Sequence, residues 1–122
     1  MTALVMERSR VIVGMLWALQ IVGAALFLMS GISKLAGVAA MVQLFDAVGV
    51  GQWFRYLTGG IEVAGAILLL IPSVASYGAA ALAATMIGAI ISHLFVIGGN
   101  PAMPIVLLAA TSTIAWTRRG GR

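Results

Sequence analysis

The 122-residue sequence contains no cysteine. A disulfide, a thiolate metal site and a thiol nucleophile are therefore excluded, and any redox chemistry must be carried by a ligand or a partner. Histidine occurs once, at His93, so a two-histidine centre is excluded as well and no metal site is expected. Charge is scarce too. Three acidic and seven basic residues make up 8% of the chain, where a soluble domain averages about a quarter. Apolar residues account for 62% of the chain, with a mean hydropathy of +1.14. That composition suits a chain solvated by lipid. The net charge of +4 forms no basic stripe, because the basic residues sit at the two ends and around the first loop; no nucleic-acid partner is expected.

A spanning helix consumes about 20 residues, so four spans would nearly exhaust the chain. One membrane domain over residues 1–122 is expected. After the polar start MTALVMERSR, residues 11–33 run without a charge and end at Lys34. That run is longer than a secretory apolar core and is read as an uncleaved first span. Residues 38–48, VAAMVQLFDAV, place Val38, Met41, Val42, Phe45 and Val48 on one helical face, with Gln43 and Asp46 opposite. So short a helix predicts an amphipathic segment lying in the interface. Trp53, Phe54 and Tyr56 then form an aromatic belt.

The second span is predicted over about 53–71, stopped by Pro72, which cannot donate to a helical ladder. The third covers about 76–97, with Ala80, Ala84 and Gly88 spaced for close helix packing. The last covers about 102–117, with Asn100 as its N-cap and Pro101 at its first position. The fold class is thus an all-α membrane protein, a four-transmembrane-helix bundle with a short interfacial helix between spans one and two. Five of the seven basic residues flank the two termini: Arg8, Arg10, Arg118, Arg119 and Arg122. The positive-inside rule puts both termini in the cytoplasm of a plasma or bacterial inner membrane.

Against this background the few polar residues stand out. Gln20, Phe27, Ser30 and Lys34 form one stripe on the first span; Arg55, Thr58 and Glu62 form another on the second; Thr85, Ser92 and His93 share a broader face of the third. Lipid-facing polar stripes are costly. An acidic residue at mid-span costs roughly 2.5 to 3.5 kcal/mol on the insertion scale. The stripes are therefore expected to converge inside the bundle, with a mouth toward the outer leaflet. The candidate ligand-binding set is Lys34, Glu62, His93, Ser30, Ser92 and Arg55.

Each has a plainer alternative. Glu62 could serve only as the partner of Lys34 or Arg55 in a buried pair that fixes register. Lys34 could snorkel to the headgroups, and Arg55 is read as an interface cation. His93 could bond a neighbouring backbone or carry protons, since imidazole titrates near neutrality. Gln20, Ser30, Thr85 and Ser92 read as interhelical glue. A Ser92, His93 and Glu62 triad is disfavoured, because neighbours on a helix point about 100° apart. No catalytic residue is assigned.

The segments "GISKLAG" (31–37), "MVQLFDAVGVGQWFRYLTGGIEVAGAILLLIP" (41–72) and "GAIISHLFVIGGNP" (88–101), in this order and spacing, resemble the DoxX-like family of small four-span membrane proteins. The likeness covers nearly the whole chain after residue 11. It departs from the family in the uncharged turn "PSVASYG" and in a first loop without proline. The resemblance implies that Lys34, Glu62 and His93 are the signature polar positions. It also implies a broad range of roles, as membrane subunits in thiosulfate or sulfur oxidation with quinone as acceptor, partners of redox-defence enzymes, quinone or catechol resistance factors, or assembly chaperones for receptors, and no single reaction follows from it.

Three functions follow as expectations. The first is a binding or accessory subunit linked to quinone or sulfur redox metabolism, non-catalytic rather than a stand-alone enzyme. Its cofactor, if it has one, would be a quinone, and its partners the lipid bilayer and a soluble or membrane oxidoreductase. The second is a structural or assembly-chaperone subunit. The third is a small proton-coupled transporter, although exporters of this size keep their glutamate in the first span, where this chain has none. Small residues such as Gly60 and Ala64 also allow a homo-oligomer.

Overall fold

The computed structural model describes residues 2–120. The described residues form five α-helices and a π-helical turn, without strands. α1 (Thr2–Ala36) is a single helix of 35 residues. It starts well before the expected residue 11, because no proline or glycine pair interrupts the polar start. At about 1.5 Å per residue it is about 52 Å long. It stops where Gly37 takes φ +70. There the Val38 amide donates to the Ser33 carbonyl and the Gly37 amide to the Lys34 carbonyl, the paired bonds of a glycine-capped helix end.

α2 (Ala39–Val48) follows immediately and is closed by Gly49 in the left-handed region. Four residues of its expected apolar face are packed, with Phe45 buried and Met41, Val42 and Val48 half-buried, and Gln43 and Asp46 are exposed; Val38, the fifth, precedes the helix and is exposed. α3 (Trp53–Leu69) ends two residues before the predicted limit, since the chain already turns at Leu70 ahead of Pro72. α4 (Ala75–Ser92) continues into a π-helical turn, His93–Ile97, and breaks at Gly98 and Gly99, both at positive φ. α5 (Ala102–Thr117) closes the chain. The expected cap is shifted by one residue: Pro101, not Asn100, stands at the N-cap and has no side-chain cap bond, while the Asn100 side chain accepts the Ala102 amide at 2.9 Å from one residue further out.

Four helices pack in a ring, α1 on α3, α3 on α4, α4 on α5 and α5 back on α1. Neighbours run antiparallel. Gln20 meets Leu69 while Lys34 meets Arg55, and Ser76 meets Ala115. Both helical termini therefore lie at one end, with α2 and the loop at 98–101 at the far end. The core is built from Ala24 and Phe27 of α1, Ala66 and Leu69 of α3, Ala79 and Leu82 of α4, and Ile114 of α5. Small residues set the spacing. A Cβ on Gly31 would come 2.8 Å from the Gly59 carbonyl, so α1 and α3 touch backbone to backbone there.

The expected packing stripe of Ala80, Ala84 and Gly88 is corrected. All three are exposed, while Ala75, Gly78, Ala79, Leu82 and Met86 make the buried face of α4. A stripe at alternating three- and four-residue steps keeps larger side chains on one face of the helix, and here it carries the bulk needed to fill the core. Gly60 and Ala64 likewise lie off the most buried face of α3.

The outer surface is hydrocarbon. Met15, Met29, Tyr77, Leu94, Phe95 and Trp116 are each more than half exposed, alongside many isoleucines and valines. Apolar cover on this scale is not tolerated in water. Met6–Ala36 and Ala75–Ile97 are long and apolar enough to cross a membrane. α3 and α5, at 17 and 16 residues, are shorter than the usual span.

Candidate functional site

The close approach of Gly31 and Gly59 has a consequence one turn away. With the backbones in contact, the long stem of Lys34 folds back along α1 instead of reaching outward. Its ammonium donates to Ser30 Oγ at 2.6 Å and lies 2.6 Å from Glu62 Oε1. The lysine is thus no headgroup anchor. The Lys34 ammonium is the charge partner of Oε1, and no further donor reaches that oxygen. Glu62 is 1% exposed, and the pair offsets a burial cost that an isolated carboxylate would bear in full.

Arg55 is also buried, which corrects its reading as an interface cation. The close packing of α3 against the end of α1 leaves its guanidinium inside the protein. Nε donates to Gln52 Oε1 at 2.7 Å, Nη1 donates to the Lys34 carbonyl, and the group stacks 4.3 Å from the centre of the Tyr56 ring. Gln52 also donates to the Val42 carbonyl at 3.0 Å and to Asp46 Oδ1 at 2.9 Å. It ties α2 to the start of α3.

Between α2, α3 and α4, toward the far end, lies a cavity of about 470 Å³, within the range of small-molecule sites. Its wall is almost wholly apolar, with Phe45, Phe54, Leu57 and Ile61 among its members. The polar exceptions are Lys34, Thr58, Thr85, Ser92 and His93. Ala84 and Gly88 border it as well, and a Cβ on Gly88 would meet nothing within 4 Å. The small residues expected to bring helices together instead leave this space open.

Of the six candidate residues, Lys34, His93 and Ser92 line the cavity, while Glu62, Ser30 and Arg55 stand behind Lys34. Ser30, Thr85 and Ser92, the hydroxyls read as glue, do not bridge helices, whereas Ser76 does, donating to the Ala115 carbonyl at 2.7 Å. Thr85 donates to the Ala81 carbonyl and Ser92 to the Gly88 carbonyl, each within α4, because a hydroxyl on a helix finds its own preceding turn first. Only Gln20 acts as the expected glue, donating to the Leu69 carbonyl at 2.7 Å. Nδ1 of His93 is buried without a hydrogen-bond partner. The residue opens the π-helical turn, an irregularity frequent at functional sites. The residues missed in the sequence are the aromatic and aliphatic wall, which looks like any membrane hydrocarbon until α2 folds over it.

Among the described residues, an all-helical bundle with an apolar exterior and two helices long and apolar enough to cross a bilayer points to an integral membrane protein. The chain belongs to the DoxX-like family, whose match covers residues 18–114. A protein of Bacillus subtilis (strain 168) named "Putative oxidoreductase CatD" is 28% identical over 74 residues, which are 61% of this chain and 55% of that relative. The chain therefore spans about half the length of this curated relative. No solved structure matches it significantly.

Proposed function

We propose that the protein is a four-span accessory subunit of membrane redox metabolism that holds the head group of a quinone in the cavity between α2, α3 and α4. The observation that carries this reading is the cavity itself. A quinone has an uncharged polar ring and an apolar tail, and the wall offers hydrocarbon with a few polar groups at one side. Lys34 would donate to a carbonyl oxygen, and the His93 ring, which lines the cavity, would contact the head group. When bound, the quinone supplies two-electron, two-proton acceptor chemistry. The oxidoreductase named among the relatives is in keeping with such a partner.

α3 and α5 would cross as short helices extended by their flanking turns, with local thinning of the bilayer, which costs only fractions of a kcal/mol per ångström of mismatch. The basic residues at the terminal end would face the cytoplasm, leaving the cavity toward the outer leaflet. The absence of cysteine makes the topology directly testable. Single cysteines placed at position 120 and at position 99 are expected to react with an impermeant maleimide from opposite sides of the membrane; labelling from one side refutes four spans.

For the ligand, binding of decylbenzoquinone to protein in nanodiscs, read by tryptophan quenching, is expected to weaken about tenfold in His93→Ala. Unchanged saturable binding in the variant removes the cavity from the account. A register-locking role has one observation in its favour, the burial of Glu62 against Lys34 off the cavity wall. It assigns Glu62 to structure without giving the cavity a purpose.

A further inference from the structure

We infer that Glu62 sets the ligand selectivity of the cavity by cancelling the charge of Lys34, so that the site takes amphiphiles with uncharged head groups and refuses anionic ones. The inference rests on the reading that the cavity holds an amphiphile. Among the described residues, Lys34 is the one lysine, arginine, aspartate or glutamate on the cavity wall. Left alone, a cation at the edge of an apolar cavity is a trap for carboxylates and sulfonates, which a membrane supplies in quantity as fatty acids and acidic lipids. Glu62 stands 2.6 Å from that cation and away from the wall. Whether the proton resides on Nζ or on the carboxylate, the pair carries no net charge.

The next charged groups cancel as well. Arg55 and Asp46 are bridged through Gln52, which accepts from the one and donates to the other. A donor hydrogen on Lys34 can therefore serve a carbonyl while the site as a whole stays neutral. Glu62 acts through Lys34 and is a positioning residue. That division explains why a carboxylate is buried where the ligand need not touch it.

The test is competition against decylbenzoquinone in zwitterionic nanodiscs at one fixed pH. The competitors are decanesulfonate and decyltrimethylammonium, matched in chain and opposite in charge. In the wild type both are expected to compete weakly and within about twofold of each other. In Glu62→Gln, decanesulfonate alone is expected to gain about tenfold, and the gain is expected to vanish in Lys34→Gln/Glu62→Gln. A purely structural Glu62 would lower the melting temperature without moving this charge preference. A wild type that prefers the anion tenfold overturns the inference, even if the variant does not fold. So does a folded Glu62→Gln without the gain, or a double variant that keeps it. Failure of the wild type to bind decylbenzoquinone at all overturns the cavity reading itself, and this inference with it.

Discussion

At the end of the bundle that carries the termini, Gln20 is wholly buried. It gives its amide hydrogen to the Leu69 carbonyl and accepts from Arg118 Nε at 2.9 Å. Arg118 also lies 5.5 Å from the centre of the Trp17 ring. One glutamine thus joins α1, α3 and the end of α5, and hydrocarbon closes around the joint. At the far end, Lys34 and Glu62 meet as a charge pair, His93 Nδ1 has no partner, and a cavity adjoins two of the three. Similar polar residues serve a staple at one end and an opening at the other. Side-chain hydrogen bonds tie helices at both ends, but at the far end polar residues, Lys34 and His93, also border the cavity between α2, α3 and α4.

The sharpest break between the two ends is expected from Gln20→Ala. It strips Leu69 and Arg118 of a buried partner and is expected to cost roughly 3 kcal/mol of stability, while decylbenzoquinone binding to the folded fraction holds. Thermal unfolding and quenching on the same samples read both. Gly31→Ala should come next. Its added methyl meets the Gly59 carbonyl at 2.8 Å, so α1 and α3 must part and the Lys34 to Glu62 contact loosens. A loss of about 2 kcal/mol together with weakened binding is expected, the signature of damage at the far end alone.

His93→Ala sharpens the contrast in the opposite sense. Binding should fall about tenfold while the melting temperature stays nearly where it was, because Nδ1 bonds nothing in the protein. The smallest effect belongs to Gln52→Ala. Freed from its bonds to Val42 and Asp46, α2 should exchange its amide hydrogens faster, with about 1 kcal/mol lost locally. A loss of protection spread evenly over the bundle would show that α2 is no separate unit.

The helices were legible because lipid imposes long apolar runs, and glycine and proline punctuate them. The helix over residues 102–117 agrees with its expected limits at both ends, and α4 with its π-helical turn agrees with the expected 76–97 to within a residue. The apolar face of α2 was legible from periodicity alone. Lys34 and His93 could be placed by depth at one end, but rotation could not be read, so Glu62 and Arg55 looked as available to a ligand as His93 did. The backbone contact at Gly31 and Gly59 decided that, and glycine spacing on separate helices does not announce its partner. Arg118 illustrates another limit. It lies 98 residues from Gln20 in a basic tail that reads as a topology signal, and only the fold shows that it turns inward.

The most direct test of the account is an experimental density map of the purified protein with decylbenzoquinone bound in nanodiscs. The account predicts a planar head group in the cavity between α2, α3 and α4, against Lys34 and His93, with its tail along Leu57 and Ile61. A cavity holding only lipid chains, with the quinone elsewhere, would contradict it.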